Sequence, residues 1–128
     1  IETNLETNSI NNNADRKGGH VLMETTGETT AHPNQLWAID HGICFHAEYK
    51  LRTVIWEFAG QPIPAHLLTD LIKFKNQFSS NGSHAKRQLQ AALNRQEMIA
   101  FGNRLERIIK RGVFWQPGPG RHYPWPPV

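Results

Sequence analysis

Two acidic residues stand in settings suited to chemistry. Asp15 lies in Asn12-Asn13-Ala14-Asp15-Arg16-Lys17-Gly18-Gly19-His20, and Asp40 lies in Ile39-Asp40-His41-Gly42. Between them run two short apolar stretches, Val21-Leu22-Met23 and Leu36-Trp37-Ala38-Ile39. If these pair as a β-hairpin, both carboxylates come to the same end of it. Two carboxylates so placed divide the work of metal-assisted phosphoryl transfer. One receives the proton of an attacking hydroxyl, and the other holds a metal on nucleotide phosphates. The Asn-rich run and Gly18-Gly19 favour turns and positive φ rather than helix. Read by itself, the Asp15 segment is a polar turn before a strand.

The elements around these residues set the fold. The 128 residues suffice for one domain with one core. Residues 1–9 are polar, with a repeated Glu-Thr-Asn and no helical or strand periodicity, and are expected to be disordered. The connection 24–34 is polar and carries Gly27 and Pro33, with His32 read as a surface residue. Ile43 to Ala47 reads as an extended apolar segment, with Cys44 as a small core residue. In 50–60, Val54, Ile55, Trp56 and Phe58 are apolar enough to be buried, while Lys50 and Arg52 are either anion contacts or a solvated basic pair. Pro62 and Pro64 then break the chain.

Three helices follow. Leu67, Leu68, Leu71, Ile72, Phe74 and Phe78 give helical spacing over 65–78. Ser83 is placed to cap a helix over 84–94, with Leu89, Ala92 and Leu93 inward. Asn94 is placed to cap a third over 96–110, where Met98, Phe101, Leu105, Ile108 and Ile109 form the apolar stripe and Gly112 stops it. The tail, 112–128, is rich in Pro and aromatic residues and cannot be helix. It either packs its rings over the helices or serves as a polyproline-like segment for a partner.

Composition narrows the function classes. The net charge is +3 and the pI about 9.3, which permits an anionic ligand without demanding one. Lys86, Arg87, Arg95, Arg104, Arg107, Lys110 and Arg111 outnumber Glu97 and Glu106 on the last two helices. This is a solvated basic face or, as a weaker reading, a nucleic-acid surface; no known nucleic-acid motif accompanies it. The single Cys44 excludes an internal disulfide and suits a cytoplasmic setting. His20, His41 and His46 lack the tight ligand pairs, often with Cys, of zinc sites. No apolar run approaches the roughly 20 residues of a membrane span.

Asp15-Arg16-Lys17 and Asp40-His41-Gly42 resemble the catalytic and metal loops of the phosphatidylinositol 3-/4-kinase-like superfamily. "NNADRKGGHVL", "AIDHGICFH", "LRTVIWEFAGQPIP" and the ending "YPWPPV" resemble, in that order, an uncharacterised bacterial family of this kind, over about residues 10–128. The resemblance implies the C-terminal lobe of a kinase-like fold: mainly α with a small β-hairpin, the small lobe absent. It divides the chain into catalytic and metal loops with an activation-like segment (10–60), helices (61–111) and a Pro/aromatic tail (112–128).

The resemblance implies an ATP-dependent phosphotransferase acting on a hydroxyl of a lipid, a protein or a small molecule, with Mg²⁺ or Mn²⁺. Asp15 would orient the substrate hydroxyl and take its proton. Arg16 and Lys17 would screen charge on the transferring phosphoryl group, or Arg16 would shape the loop through an ion pair. Asp40 would hold the metal. Kinases place a metal-binding Asn five residues after the catalytic Asp; here that position is His20, a poorer ligand for Mg²⁺ and a better one for Mn²⁺, or a phosphate contact through a protonated ring. His41 stands where many kinases carry Phe and is expected to pack beside the metal loop.

The Gly-rich loop and the strand Lys paired with a helical Glu are absent from the 14 residues before Asp15, as is the apolar helix expected there. Weak ATP binding, or none, is therefore expected of the chain, which reads as an inactive piece of a longer protein. The alternative is a fragment or pseudokinase that acts as an interaction module.

Overall fold

The computed structural model describes residues 9–24 and 36–128. The fold is mainly helical with one small antiparallel sheet. Strands β1 (Val21–Met23) and β2 (Leu36–Ala38) pair with Val21 opposite Ala38, Leu22 opposite Trp37 and Met23 opposite Leu36. The expected hairpin is present, and its connection, with His32, lies outside the described residues.

Helices α1 (Ala65–Ser79), α2 (His84–Ala92) and α3 (Arg95–Arg111) follow, each within a residue or two of the expected bounds. Local chemistry explains the agreement. Ser83 Oγ accepts from the Lys86 amide at 3.2 Å. Asn94 and Glu97 close a reciprocal box: the Glu97 amide donates to Asn94 Oδ1 at 3.0 Å and the Asn94 amide to Glu97 Oε2 at 2.8 Å. Gly112 ends α3 at φ +63°, a left-handed conformation that a Cβ would strain.

The core lies where α1 meets α3. Leu67 and Leu71 face Phe101, Leu105 and Ile108, joined by Ile10, Ile55, Ile63 and Phe114. Each buried side chain of this kind contributes roughly 1.5–3 kcal/mol. Phe74 and Phe78 close against the Phe101 ring at 6.1 and 5.4 Å between centroids, and Phe45 reaches it from the other side at 5.5 Å. Among the described residues no helix is long and apolar enough to cross a membrane.

Four expectations need correction. The polar N-terminal segment does not extend through residue 9: residues 9–11 are helical and Ser9 is only 3% exposed. The reason is tertiary, since Arg104 reaches back to the carbonyl of Ile10, a partner 94 residues away. Residues 1–8 lie outside the described set. Ile43 to Ala47 is not a strand; Phe45 sits at φ +66° and Ile43 is exposed. Ala92 points outward rather than into the core. The positive φ foreseen at Gly18-Gly19 occurs instead at Asn12 (+55°), while residues 18–20 form one turn of 3-10 helix.

The tail packs in part. Phe114 is buried, and Arg107 stacks 4.8 Å over the half-buried Trp115. Gly18 donates to the Pro127 carbonyl at 3.1 Å, and Trp56 Nε1 and the Thr53 amide both donate to that of His122. Trp125 stays exposed.

Candidate functional site

The Asp15 loop is held from three sides. The Ala14 amide donates to the Ile43 carbonyl at 2.9 Å, which stitches it to the segment after Asp40. Residues 13–16 run beside 52–54: Arg52 donates to the Asn13 carbonyl, Arg16 to that of Arg52, and Val54 to that of Arg16. Asn12 secures the far side. Its Nδ2 donates to the carbonyls of His46 (2.8 Å) and Glu48 (2.6 Å), and its Oδ1 accepts from the Lys50 amide (2.8 Å). The short polar side chain and left-handed backbone of Asn serve both ends of this arrangement.

Within this frame the chain alternates. Arg16 is 0% exposed, while Asp15 and Lys17 reach solvent on either side of it. Asp15 takes an Asn13-supported turn, its amide donating to Asn13 Oδ1 at 2.9 Å, and its carboxylate lies 3.6 Å from Lys17 Nζ. The Arg16 guanidinium spans the base of the hairpin. Nη1 donates to the carbonyls of His20 and Ile39, and Nη2 donates to His41 Nδ1 at 3.0 Å. With Nδ1 accepting, His41 Nε2 carries the proton and donates to the Ala38 carbonyl at 3.1 Å. Burial lowers the Arg16 pKa, against the raising influence of Cys44 and Asp40 nearby. Burial likewise raises that of the Cys44 thiol, so Cys44, half-buried, is a poor nucleophile.

Asp40 sits at φ +56° at the mouth of the hairpin, its Oδ1 accepting from the Gly42 amide at 3.4 Å. Its other oxygen lies 3.4 Å from His20 Nε2. His20 Nδ1 in turn accepts from the Lys17 amide at 3.5 Å. Asp15 thus meets the Lys17 side chain while His20 bridges the Lys17 backbone amide to Asp40, and the two acid-bearing loops lie at the same end of the sheet.

These positions sort the expected site residues. Asp15, Lys17, His20 and Asp40 are brought together with their functional groups near solvent. Arg16 is buried and turned inward: its guanidinium ties both loops together through two carbonyls and the His41 imidazole. His41, in the Asp40 loop, is exposed, and its ring nitrogens meet Arg16 and the Ala38 carbonyl. The duty of Asn12 was not read from the sequence, although an Asn inside a run that favours turns and positive φ was a usable signal.

The donor set bears on a metal. Among the described residues no group of three or more His, Cys, Asp and Glu side chains is placed to hold an ion. Mg²⁺ accompanying a nucleotide needs fewer protein ligands, since phosphates and water fill most positions. Asp40, a 54% exposed carboxylate, fits that role. His20 does not fit as a ligand in this arrangement. A ligating imidazole donates its second N–H to an acceptor, whereas His20 Nδ1 faces the Lys17 N–H donor. His20 is set up to donate from Nε2, to Asp40 or to a phosphate oxygen.

Comparison with known proteins adds one relative. The chain is 36% identical over 117 residues to Protein Rv2133c of Mycobacterium tuberculosis (strain ATCC 25618 / H37Rv), an alignment covering 90% of this chain and 38% of that protein. The chain thus spans well under half of the relative's length. No family model matches the chain, and no solved structure matches it.

Proposed function

We propose that these residues are the catalytic half of a phosphatidylinositol 3-/4-kinase-like phosphotransferase, moving the terminal phosphoryl group of ATP to a hydroxyl acceptor. The observation that carries the reading is the hairpin, which sets the Asp15 and Asp40 loops side by side with Arg16 bound to both. Mg²⁺ or Mn²⁺, when bound with ATP, would neutralise phosphate charge. Asp40 would hold it. Asp15 would accept the proton of the acceptor hydroxyl. Lys17, beside Asp15, would balance charge on the phosphoryl oxygens, and His20 would donate from Nε2. Arg16 and His41 would keep the two loops in register.

A second reading is a non-catalytic module that works only joined to more chain. The hairpin favours it, since Leu22, Met23, Leu36 and Trp37, spread over both its faces, and Ile39 and Ile43 after it are all exposed. The greater length of Protein Rv2133c is consistent with a fuller protein around such a piece. A nucleic-acid surface has less support: Arg104 is buried, Arg107 and Arg111 lie against Trp115, and Glu106 pairs with Lys75 at 3.3 Å.

Equilibrium binding of ATP with Mg²⁺ or Mn²⁺ separates the readings. Saturable, metal-dependent binding that is lost in Asp40→Ala supports the catalytic half-site. Absence of binding with both metals assigns the chain to the second reading.

A further inference from the structure

A cavity of about 190 Å³ opens between α3 and the 46–50 loop, away from the Asp15 and Asp40 loops. It is lined by Tyr49, Asn103, Arg104, Arg107, Trp115 and two alanines, and by no carboxylate. Arg104 is 7% exposed. Its Nε donates to the Ile10 carbonyl at 2.8 Å and its Nη1 to that of His46 at 3.0 Å. Its Nη2 is buried with no acceptor, and so is Trp115 Nε1. Neither Arg104 nor Arg107 forms an ion pair among the described residues. A guanidinium withdrawn from water without a counter-charge is costly. Burial alone pushes Arg104 down to about 10, which leaves it charged at neutral pH.

The lining is thus rich in donors and poor in acceptors. The Arg107 guanidinium is held over the Trp115 ring, and the Tyr49 ring lies 6.1 Å from that of Trp115, so the walls are rigid aromatic faces. Two guanidiniums with no acid between them match a dianion better than a single carboxylate. We propose that this cavity is a phosphate-binding site, taking either the free ion or the phosphate of an organic monoester. The Arg107 guanidinium is the principal donor, and the buried, unpaired charge of Arg104 behind the wall adds attraction for an anion. The site is independent of the proposed nucleotide half-site and uses none of its residues.

The test is titration of the full chain with inorganic phosphate, phenyl phosphate and acetate at constant ionic strength, followed by the NMR signals of Trp115 Nε1–H and of the Tyr49 and Asn103 amides. Saturable shifts with phosphate are expected, with affinity about tenfold above acetate. Arg107→Ala, at an exposed position that leaves the core intact, should weaken phosphate by about tenfold or more. Asp40→Ala should leave it unchanged. Tighter binding of phenyl phosphate assigns the site to a monoester, and tighter binding of phosphate to the free ion. No saturation, equal affinity for acetate, indifference to Arg107→Ala, or loss in Asp40→Ala would each overturn the proposal.

Discussion

Neighbouring residues of the Asp15 loop carry opposite duties. Arg16 is fully buried and supplies donors to two carbonyls and a ring nitrogen, so Arg16→Met should orphan them and cost about 3 kcal/mol or more. Asp15 pairs with the Lys17 ammonium at 3.6 Å, both side chains partly exposed, and Asp15→Asn should change stability by no more than about 1 kcal/mol while abolishing any phosphoryl transfer. Urea unfolding of the two variants checks the first contrast, and equal destabilisation would refute it. The acids were legible in the sequence because their types and their placement around two apolar runs are local facts. The duty of Arg16 was not. Which member of Asp15-Arg16-Lys17 turns inward is decided when Arg16 meets Thr53 across the fold, a pairing that nothing in the loop announces.

Elements differ in the same way. The three helices could be read closely because caps, stripe and stop signal all lie within the segment itself, and Asn94→Ala should therefore cost about 1 kcal/mol, an ordinary loss of a cap. The 43–50 loop could not be read as it stands. Its course is fixed from outside, by Asn12 at 34 and 36 residues' remove and by Arg104 at 58. Asn12→Ala removes three buried bonds and places Cβ chemistry without Asn's local compensation at φ +55°, so it should cost about 3 kcal/mol, well above Asn94→Ala. Thermal or urea unfolding ranks the two, and a larger loss for Asn94→Ala would show that the loop is not organised by Asn12.

At the scale of the molecule, one helical core presents a hairpin with acids at one end and exposed apolar side chains on its strands. The side chains of Leu22, Trp37 and Ile39 would be covered if further chain packed there, as a nucleotide-clamping lobe would. Under the proposed function, Asp15 and Asp40 would serve proton removal and metal holding, and chain packed on this face would add to the contacts with ATP. The central claim is that Asp15 and Asp40 serve one site. The most direct test is to add substoichiometric Mn²⁺ with ATP and follow paramagnetic broadening of the backbone amides. A shared site predicts that residues 14–20 and 39–42 broaden together, and that both sets recover in Asp40→Ala. Broadening confined to one loop, or centred elsewhere on the chain, would contradict it.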